Sequence, residues 1–249
     1  MCLLGAMKAL VALDFDHTVV DDNTDTYVMK LSTGGVLPKE VEVKMKAGFW
    51  TDFMNEVFKY LHEQCHVRKK DYERTLAEIP LTPGFLDLFK FFQENNRFID
   101  CIIISDSNEW FIDFILELHG IRDVAERVFT NEAKFEQNSL LRIFPHHQHD
   151  HKACPVNMCK RKVLENYIAE KKSQGVVYSH IFYVGDGGND YCPATILTEN
   201  DTLFAREGYS LHRKLVKLQE KGESLVTCNV NYWKGGQEIL STIKDVLGK

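Results

Sequence analysis

Two pairs of aspartates have spacings that suit phosphate chemistry. Asp14 and Asp16 end an apolar run, residues 9–13, and are separated by one residue. Because side chains alternate along a strand, both carboxylates point to the same side. Asp186 and Asp190 lie in a glycine-rich turn after another apolar run. Four carboxylates brought together repel one another unless a cation neutralises them, and Mg²⁺ is the oxygen-seeking ion that also binds substrate phosphate.

Further residues complete a phosphoryl-transfer site. Asp14 can attack phosphorus and form an aspartyl-phosphate. Asp16 can protonate the leaving oxygen and later activate water. Ser105 offers a hydroxyl and a main-chain N–H, and Lys160 offers a positive charge to the phosphoryl oxygens. Asp14 is therefore the predicted nucleophile and Asp16 the predicted acid and base.

Strands and helices that alternate along the chain are expected to position these residues. Apolar runs end at Asp14, Ser105 and Asp186, and their near-continuous apolarity predicts parallel strands buried on both faces. Such sheets bind ligands at the carboxyl ends of their strands. Helical patterns cover residues 85–92, 110–118 and 163–168, and shorter strand-like segments cover 127–130, 202–205 and 225–230.

The segment from 21 to 79 differs from the rest of the chain. It has no strand-like run, and an amphipathic pattern extends from Trp50 to Leu61. Pro80, Pro83 and Gly84 mark a turn at its end. We therefore predict an α/β fold, a Rossmann-like open parallel sheet formed by residues 1–20 and 80–249, with a small helical cap, residues 21–79, inserted after the first strand.

The order of these motifs resembles the haloacid dehalogenase superfamily of phosphohydrolases. That order is Asp-x-Asp-x-Thr ending at Thr18, then Ser105, then Lys160, then Gly-Asp-x-x-x-Asp ending at Asp190. Longer segments resemble the phosphoethanolamine/phosphocholine phosphatase family, and residues 101–108 look closest to its pyridoxal phosphate phosphatase branch. These segments are 14–25, 48–54, 57–61, 104–108, 154–160 and 185–193.

The resemblance implies how a metal would be held. Asp14, the main-chain carbonyl of Asp16 and Asp186 would ligate Mg²⁺. Asp190 would orient the metal's waters and Lys160. Lys152 and Lys162 compete for this role, and a surface lysine is the ordinary alternative, but Lys160 is preferred over either of them.

The resemblance also implies substrate contacts. Thr18, Ser105 and Lys160 would bind the phosphate, while Asp25 and Asp106 would contact the rest of the substrate. Acids at those places would attract a cationic amine on the leaving group. Phosphoserine phosphatases carry a Glu where Asn23 stands here, which argues against phosphoserine.

The function expected from these observations is Mg²⁺-dependent hydrolysis of a small phosphomonoester, with pyridoxal 5'-phosphate as the expected substrate. Phosphoethanolamine, phosphocholine and pyrophosphate stay open. Two alternatives of another class are a protein that is only phosphorylated on aspartate, as receiver domains are, and a metal-binding module. The long interval between Asp14 and Ser105 favours a capped enzyme, since receiver domains have no insertion there.

Composition narrows the class of protein. The 249 residues carry 30 Lys and Arg against 36 Asp and Glu, a net charge of −6 that excludes a basic nucleic-acid-binding module. No apolar run approaches the roughly 20 residues of a membrane span. We read residues 1–13 as a buried strand rather than a secretion signal, with Met1 or Met7 as the start, so the expected location is the cytoplasm. The oligomeric state is left open.

Histidine and cysteine are concentrated in one segment. His147, His149, His151, Cys154 and Cys159 are ligand types that suit Zn²⁺, and a polar loop with free thiols is an equally good reading. The seven cysteines are an odd number without a secretory signal, which favours reduced thiols over a disulfide framework.

Overall fold

A mostly parallel sheet forms the centre of the computed structural model, which describes residues 7–45 and 49–249. Within these ranges seven strands lie in the order β4-β3-β2-β1-β5-β6-β7, and only β3 and β4 pair antiparallel. This arrangement confirms the predicted α/β class. The strands are β1 Met7–Leu13, β2 Ile99–Asn108, β3 Arg127–Phe135, β4 Leu141–Phe144, β5 Val177–Gly185, β6 Thr202–Arg206 and β7 Asn229–Trp233.

Helices flank the sheet on both faces, and the three predicted helical patterns are confirmed as α5, α6 and α7. The helices are α1 Thr24–Val28, α2 Lys39–Glu42, α3 Trp50–Glu63, α4 Lys69–Leu76, α5 Phe85–Glu94, α6 Glu109–Leu118, α7 Lys160–Ser173, α8 Tyr191–Ala194, α9 Ser210–Lys221 and α10 Gly236–Leu247. No helix in the described ranges is long and apolar enough to cross a membrane.

Strand β1 shows why the central strands are apolar throughout. Val11 and Leu13 face one core, which α5, α6 and α10 cover. Leu10 and Ala12 face the other core, which α7, α8 and α9 cover. Because both faces are buried, the strand has no solvent side and its sequence does not alternate with polar residues.

Two strands at the sheet edges differ from the sequence prediction. The predicted strand over 225–230 is wrong in its first part, because β7 begins at Asn229, which lies opposite Thr202 of β6. The preceding residues connect α9 to the sheet, and the Thr227 hydroxyl donates to the carbonyl of Leu197. Strand β4 was not predicted, since four residues at an edge give too short a pattern to separate from a loop.

The segment 21–79 contains helices α1 to α4 in its described part and packs against α6. The ring of Phe58 meets Phe111 edge-on at 5.9 Å between centroids, and Tyr72 meets Trp110 at 6.2 Å. The Asn55 side-chain amide also donates to the carbonyl of Ile143 in β4 at 2.8 Å and accepts its N–H at 2.9 Å. Its assignment as a separate cap domain stays a prediction.

Candidate active site

The carboxyl ends of β1, β2 and β5 meet around a cavity of about 160 Å³. Parallel strands place these ends at one edge, as the sequence predicts. Six predicted site residues line the cavity: Asp14, Asp16, Ser105, Asp106, Lys160 and Asp186. Five residues that were not predicted line it as well: His17, Asn23, Ser107, Gly187 and Asn189.

Lys160 joins two of the predicted acids. Its Nζ lies 2.8 Å from Asp14 Oδ2 and 2.8 Å from Asp190 Oδ1, and its side chain is only 2% exposed. Lys160 is the first residue of α7, a position where the helix dipole disfavours a cation. At this position the Lys160 charge therefore stabilises the two carboxylates and not helix α7.

The buried charges shift one another's protonation. Burial raises the pKa of Asp14 well above its usual value, and the charge of Asp190 adds to this rise while Lys160 opposes it. Burial alone would lower the pKa of Lys160, but the charges of Asp14 and Asp190 outweigh that effect and raise it. Lys160 is therefore a permanent cation between two acids.

Asp16 is held by the first residues that follow the β1 loop. Its Oδ1 accepts the N–H of Thr24 at 3.0 Å, and its Oδ2 accepts the Asn23 amide at 3.0 Å and the Thr24 hydroxyl at 3.2 Å. Burial raises the pKa of Asp16 to about 6, against the lowering effect of the Thr24 hydrogen bonds. A carboxyl with that pKa can give and take a proton near neutral pH.

A divalent cation fits the carboxylates at the end of β1 and β5. Oxygen atoms of Asp14, Asp186 and Asp190 all lie within 4.8 Å of one another. Three carboxylates against the single ammonium of Lys160 leave an excess of negative charge, and burial together with Asp190 raises the pKa of Asp186 to about 7. Within the described ranges, the main-chain carbonyl of Asp16 accepts no hydrogen bond and so has free lone pairs.

Asp190 has a different environment from Asp186. It is fully buried, its Oδ1 accepts from Lys160 and from the Tyr183 hydroxyl at 2.9 Å, and its Oδ2 accepts the Gly187 N–H at 2.9 Å. Both oxygens are thus engaged by protein donors. This suits the predicted orienting role better than direct metal ligation.

Asp106 lies on β2 beside Ser105, and two amides hold its carboxylate. Asn157 donates to its Oδ1 at 3.0 Å and Asn189 donates to its Oδ2. Burial raises the pKa of Asp106, while Lys160 and these amides oppose the rise. Asp106 therefore faces the cavity with a fixed orientation.

Asp25 and Thr18 lie outside the cavity lining. The Oδ2 of Asp25, in α1, accepts the Trp50 indole N–H at 2.7 Å, and its Oδ1 is buried without a partner. Burial, with a smaller contribution from Asp16, raises the pKa of Asp25 to about 8. Among the described residues, the buried Thr18 hydroxyl has no hydrogen-bond partner. The structure thus brings neither side chain to the cavity wall, and their predicted substrate and phosphate contacts stay predictions.

The residues that sequence reasoning missed are mostly amides and hydroxyls. Asn23 both caps α1, by accepting the Thr26 N–H, and holds Asp16. The Ser107 hydroxyl lies 2.7 Å from that of Thr24, and Asn189 holds Asp106. Asn23, Ser107 and Asn189 lie within the segments 14–25, 104–108 and 185–193 that carry the family resemblance, so their position was a usable signal.

A larger cavity of about 640 Å³ lies between β3 and α7. Two of its charged groups neutralise each other: Arg127 pairs with Glu170 at 2.7 Å and stacks over Phe129 at 4.8 Å. It holds no cluster of carboxylates that needs a cation. We therefore assign the chemistry to the smaller cavity.

Comparison with known proteins identifies the family of the chain. The family described as Putative Phosphatase matches residues 9–247. A pyridoxal phosphate phosphatase of Bos taurus is 43% identical over 238 residues, 96% of this chain and 98% of that protein. A phosphoethanolamine/phosphocholine phosphatase of Homo sapiens is 35% identical over 247 residues, 99% of this chain and 92% of that protein.

Among solved structures the likeness is one of fold. A haloacid dehalogenase family hydrolase of Salmonella enterica serovar Typhi has a TM-score of 0.66 at 15% identity and covers 97% of this chain and 72% of its own. A phosphoserine phosphatase has a TM-score of 0.62 at 16% identity over 94% of this chain and 98% of its own. The chain belongs to the Putative Phosphatase family, which is of the haloacid dehalogenase type, and it is a phosphoric monoester hydrolase.

Proposed function

We propose that this enzyme is a Mg²⁺-dependent phosphatase that hydrolyses a small phosphomonoester through an aspartyl-phosphate on Asp14. The observation that carries the proposal is the pairing of Asp14, fixed by Lys160 at 2.8 Å, with Asp16, whose pKa burial raises to about 6. The charge of Lys160 opposes the rise that burial causes in the pKa of Asp14, and so favours the ionised carboxylate that acts as the nucleophile. The other carboxyl, Asp16, is poised to exchange protons.

In the first half-reaction Asp14 forms a bond to phosphorus and the bond from phosphorus to the leaving oxygen breaks. Asp16 donates its proton to that oxygen, so the product leaves as a neutral alcohol. The hydrogen bonds from Asn23 and Thr24 keep the Asp16 carboxyl in one orientation through this transfer. Ser105, and Lys160 with its fixed charge, are placed to bind the phosphoryl oxygens.

In the second half-reaction Asp16, now ionised, takes a proton from water as the water attacks the aspartyl-phosphate. Phosphate leaves with the former water oxygen, and Asp14 is restored. Asp14, Asp186 and the main-chain carbonyl of Asp16 would hold Mg²⁺, which supplies charge neutralisation to the phosphoryl group. Asp190 keeps Lys160 in place through both steps.

The proposed substrate is pyridoxal 5'-phosphate. The support is that relatives named for this activity are 41–43% identical, whereas those named for phosphoethanolamine and phosphocholine are 32–35% identical. Phosphoethanolamine is the second candidate, because Asp106 lines the cavity as an acid that would attract an amine. Asn23 also favours these over phosphoserine, since a Glu there would add a charge beside Asp16.

The deciding experiment tests Asp14 as the point of attachment. Enzyme mixed with substrate is quenched and reduced with borohydride, which converts an aspartyl-phosphate to homoserine, and the position is read by mass spectrometry. Homoserine at position 14 is expected. Asp14→Asn should lose turnover while remaining folded, as judged by circular dichroism, whereas Asp52→Asn, an exposed acid of α3, should keep turnover. Turnover retained by Asp14→Asn, or a label elsewhere, contradicts the mechanism.

A substrate panel separates the candidates. We expect kcat/KM with Mg²⁺ to be highest for pyridoxal 5'-phosphate, followed by phosphoethanolamine and phosphocholine, with phosphoserine and pyrophosphate poorest. Repeating the panel on Asp106→Asn tests charge selection, because amine-bearing substrates should lose more than p-nitrophenyl phosphate. Equal losses would show that Asp106 does not select by charge.

A further inference from the structure

A second group of potential metal ligands lies beside the active site. The side chains of His151, Cys154, Cys159 and Cys192 each bring one ligand atom to within 4.8 Å of all the others. Sequence spacing indicated the first three but also His147 and His149. It did not indicate Cys192, which lies 33 residues further along the chain, in α8.

The distances within this group are close to those of a tetrahedral zinc site. Zinc bonds of about 2.3 Å to sulfur and about 2.05 Å to nitrogen imply tetrahedron edges of about 3.8 Å between two sulfurs and about 3.6 Å between nitrogen and sulfur. The observed separation of Cys154 and Cys159 Sγ is 3.7 Å. From His151 Nδ1 the three sulfurs lie at 3.1, 3.5 and 3.9 Å.

His147 and His149 do not belong to this group, whose four ligand atoms lie together without them, and backbone groups engage both nitrogens of His149 and Nε2 of His147. His147 Nε2 accepts the Cys159 N–H at 3.3 Å. His149 Nε2 lies 2.7 Å from the Pro155 carbonyl and its Nδ1 accepts the His151 N–H at 3.2 Å. They therefore act on the backbone that carries the ligands.

We propose that His151, Cys154, Cys159 and Cys192 bind one structural Zn²⁺. Three thiolates and one imidazole are a ligand set that selects zinc over Mg²⁺, and four protein ligands leave no open position for substrate or water. The site is thus separate from the carboxylate centre in both metal and purpose. It does not depend on the proposed substrate.

The position of the site indicates what the zinc does. Cys159 directly precedes Lys160, and Cys192 follows Asp190 by two residues. Lys160 and Asp190 form a 2.8 Å ion pair, which holds Lys160 beside the nucleophile Asp14. A metal that joins Cys159 to Cys192 ties together the two chain segments that carry this pair, and so fixes the distance between α7 and α8.

Metal analysis tests the proposal. The chain purified without added metal should contain close to one zinc per molecule, and Cys192→Ser should lose it. Cys65→Ser is the matched control, because Cys65 is a partly exposed free thiol outside the group, and it should retain the zinc. Zinc retained by Cys192→Ser would overturn the assignment.

Two measurements on the unmutated chain cover the case in which Cys192→Ser fails to fold. Stepwise modification with an organomercurial should release zinc, read with a chromogenic chelator, as three thiols react. Co²⁺ exchanged into the site should show the absorption of a tetrahedral thiolate complex, which Mg²⁺ in excess should not displace. Absence of this spectrum, or a disulfide among these cysteines in place of zinc, would refute the proposal.

Discussion

Replacing Lys160 with methionine tests whether the buried ion pairs organise the site. Methionine keeps the length and helix propensity of the side chain but removes the charge. In the enzyme Lys160 is 2% exposed and bonds Asp14 and Asp190, which are 8% and 0% exposed, so solvent does not screen these pairs. Removing one partner of such a buried pair costs about 3–5 kcal/mol.

In a chain of this size that cost lowers Tm by about 6–20 °C, because 1 kcal/mol corresponds to about 2–4 °C. The loss should grow with pH. Without Lys160 the pKa of Asp14, already raised by burial, rises further. The usual pKa of the carboxyl is 3.8. Above that pH the carboxyl of the variant is protonated in the folded state and ionised in the unfolded state over a wider pH range, and the free energy of unfolding falls throughout that range.

The assay is thermal unfolding in a chelator at pH 5 and pH 8, with phosphate release measured in parallel. Lys162→Met is the control, since Lys162 is exposed two residues further along the same helix. We expect Lys160→Met to lose stability mainly at pH 8 and to lose about 10²-fold or more in kcat, as when a preorganised donor is removed. Equal stability of Lys160→Met and Lys162→Met at pH 8 would refute the reasoning.

Three further predictions concern the metal, the acid and the link between helices and sheet. Mg²⁺ should raise Tm more at pH 8 than at pH 5, because the metal-free Asp186, with a pKa raised to about 7, is protonated at the lower pH. Thermal melts of Asp186→Asn should show no such difference between the two pH values. Asp16→Asn should lose less kcat/KM, which reports the first half-reaction, on p-nitrophenyl phosphate than on an alkyl phosphate, because p-nitrophenolate leaves without a proton; equal losses in kcat/KM would contradict the acid role. Asn55→Ala should destabilise the chain by about 1–3 kcal/mol in urea unfolding, because it leaves the buried N–H and carbonyl of Ile143 unpaired, and an unchanged midpoint would argue against that link.

The sequence was sufficient to predict the sheet and the acids at its edge, because both follow from local patterns. A strand buried on two faces is apolar throughout, and its end is marked where Asp14 or Asp186 begins. The polar contacts between side chains were harder to predict from the sequence. Asn23 and Asn189 act on carboxylates 7 and 83 residues away, and no local pattern records such pairings. Edge strand β4 was missed because its four residues form too short a pattern to separate from a loop.

The histidine and cysteine segment shows how topology adds information to composition. Along the chain Cys192 belongs to the turn that carries Asp186 and Asp190, and nothing in its spacing connects it with His151. The parallel sheet places the end of β5 beside the start of α7, so one turn supplies carboxylates to one side and a thiol to the other. The pairing of β5 with β1 in the sheet therefore brings together both the carboxylate site and the proposed zinc site. Lys160 lies between the two centres. Losing the sulfur ligands should therefore disturb the environment of the nucleophile Asp14, although no proposed catalytic residue is itself replaced.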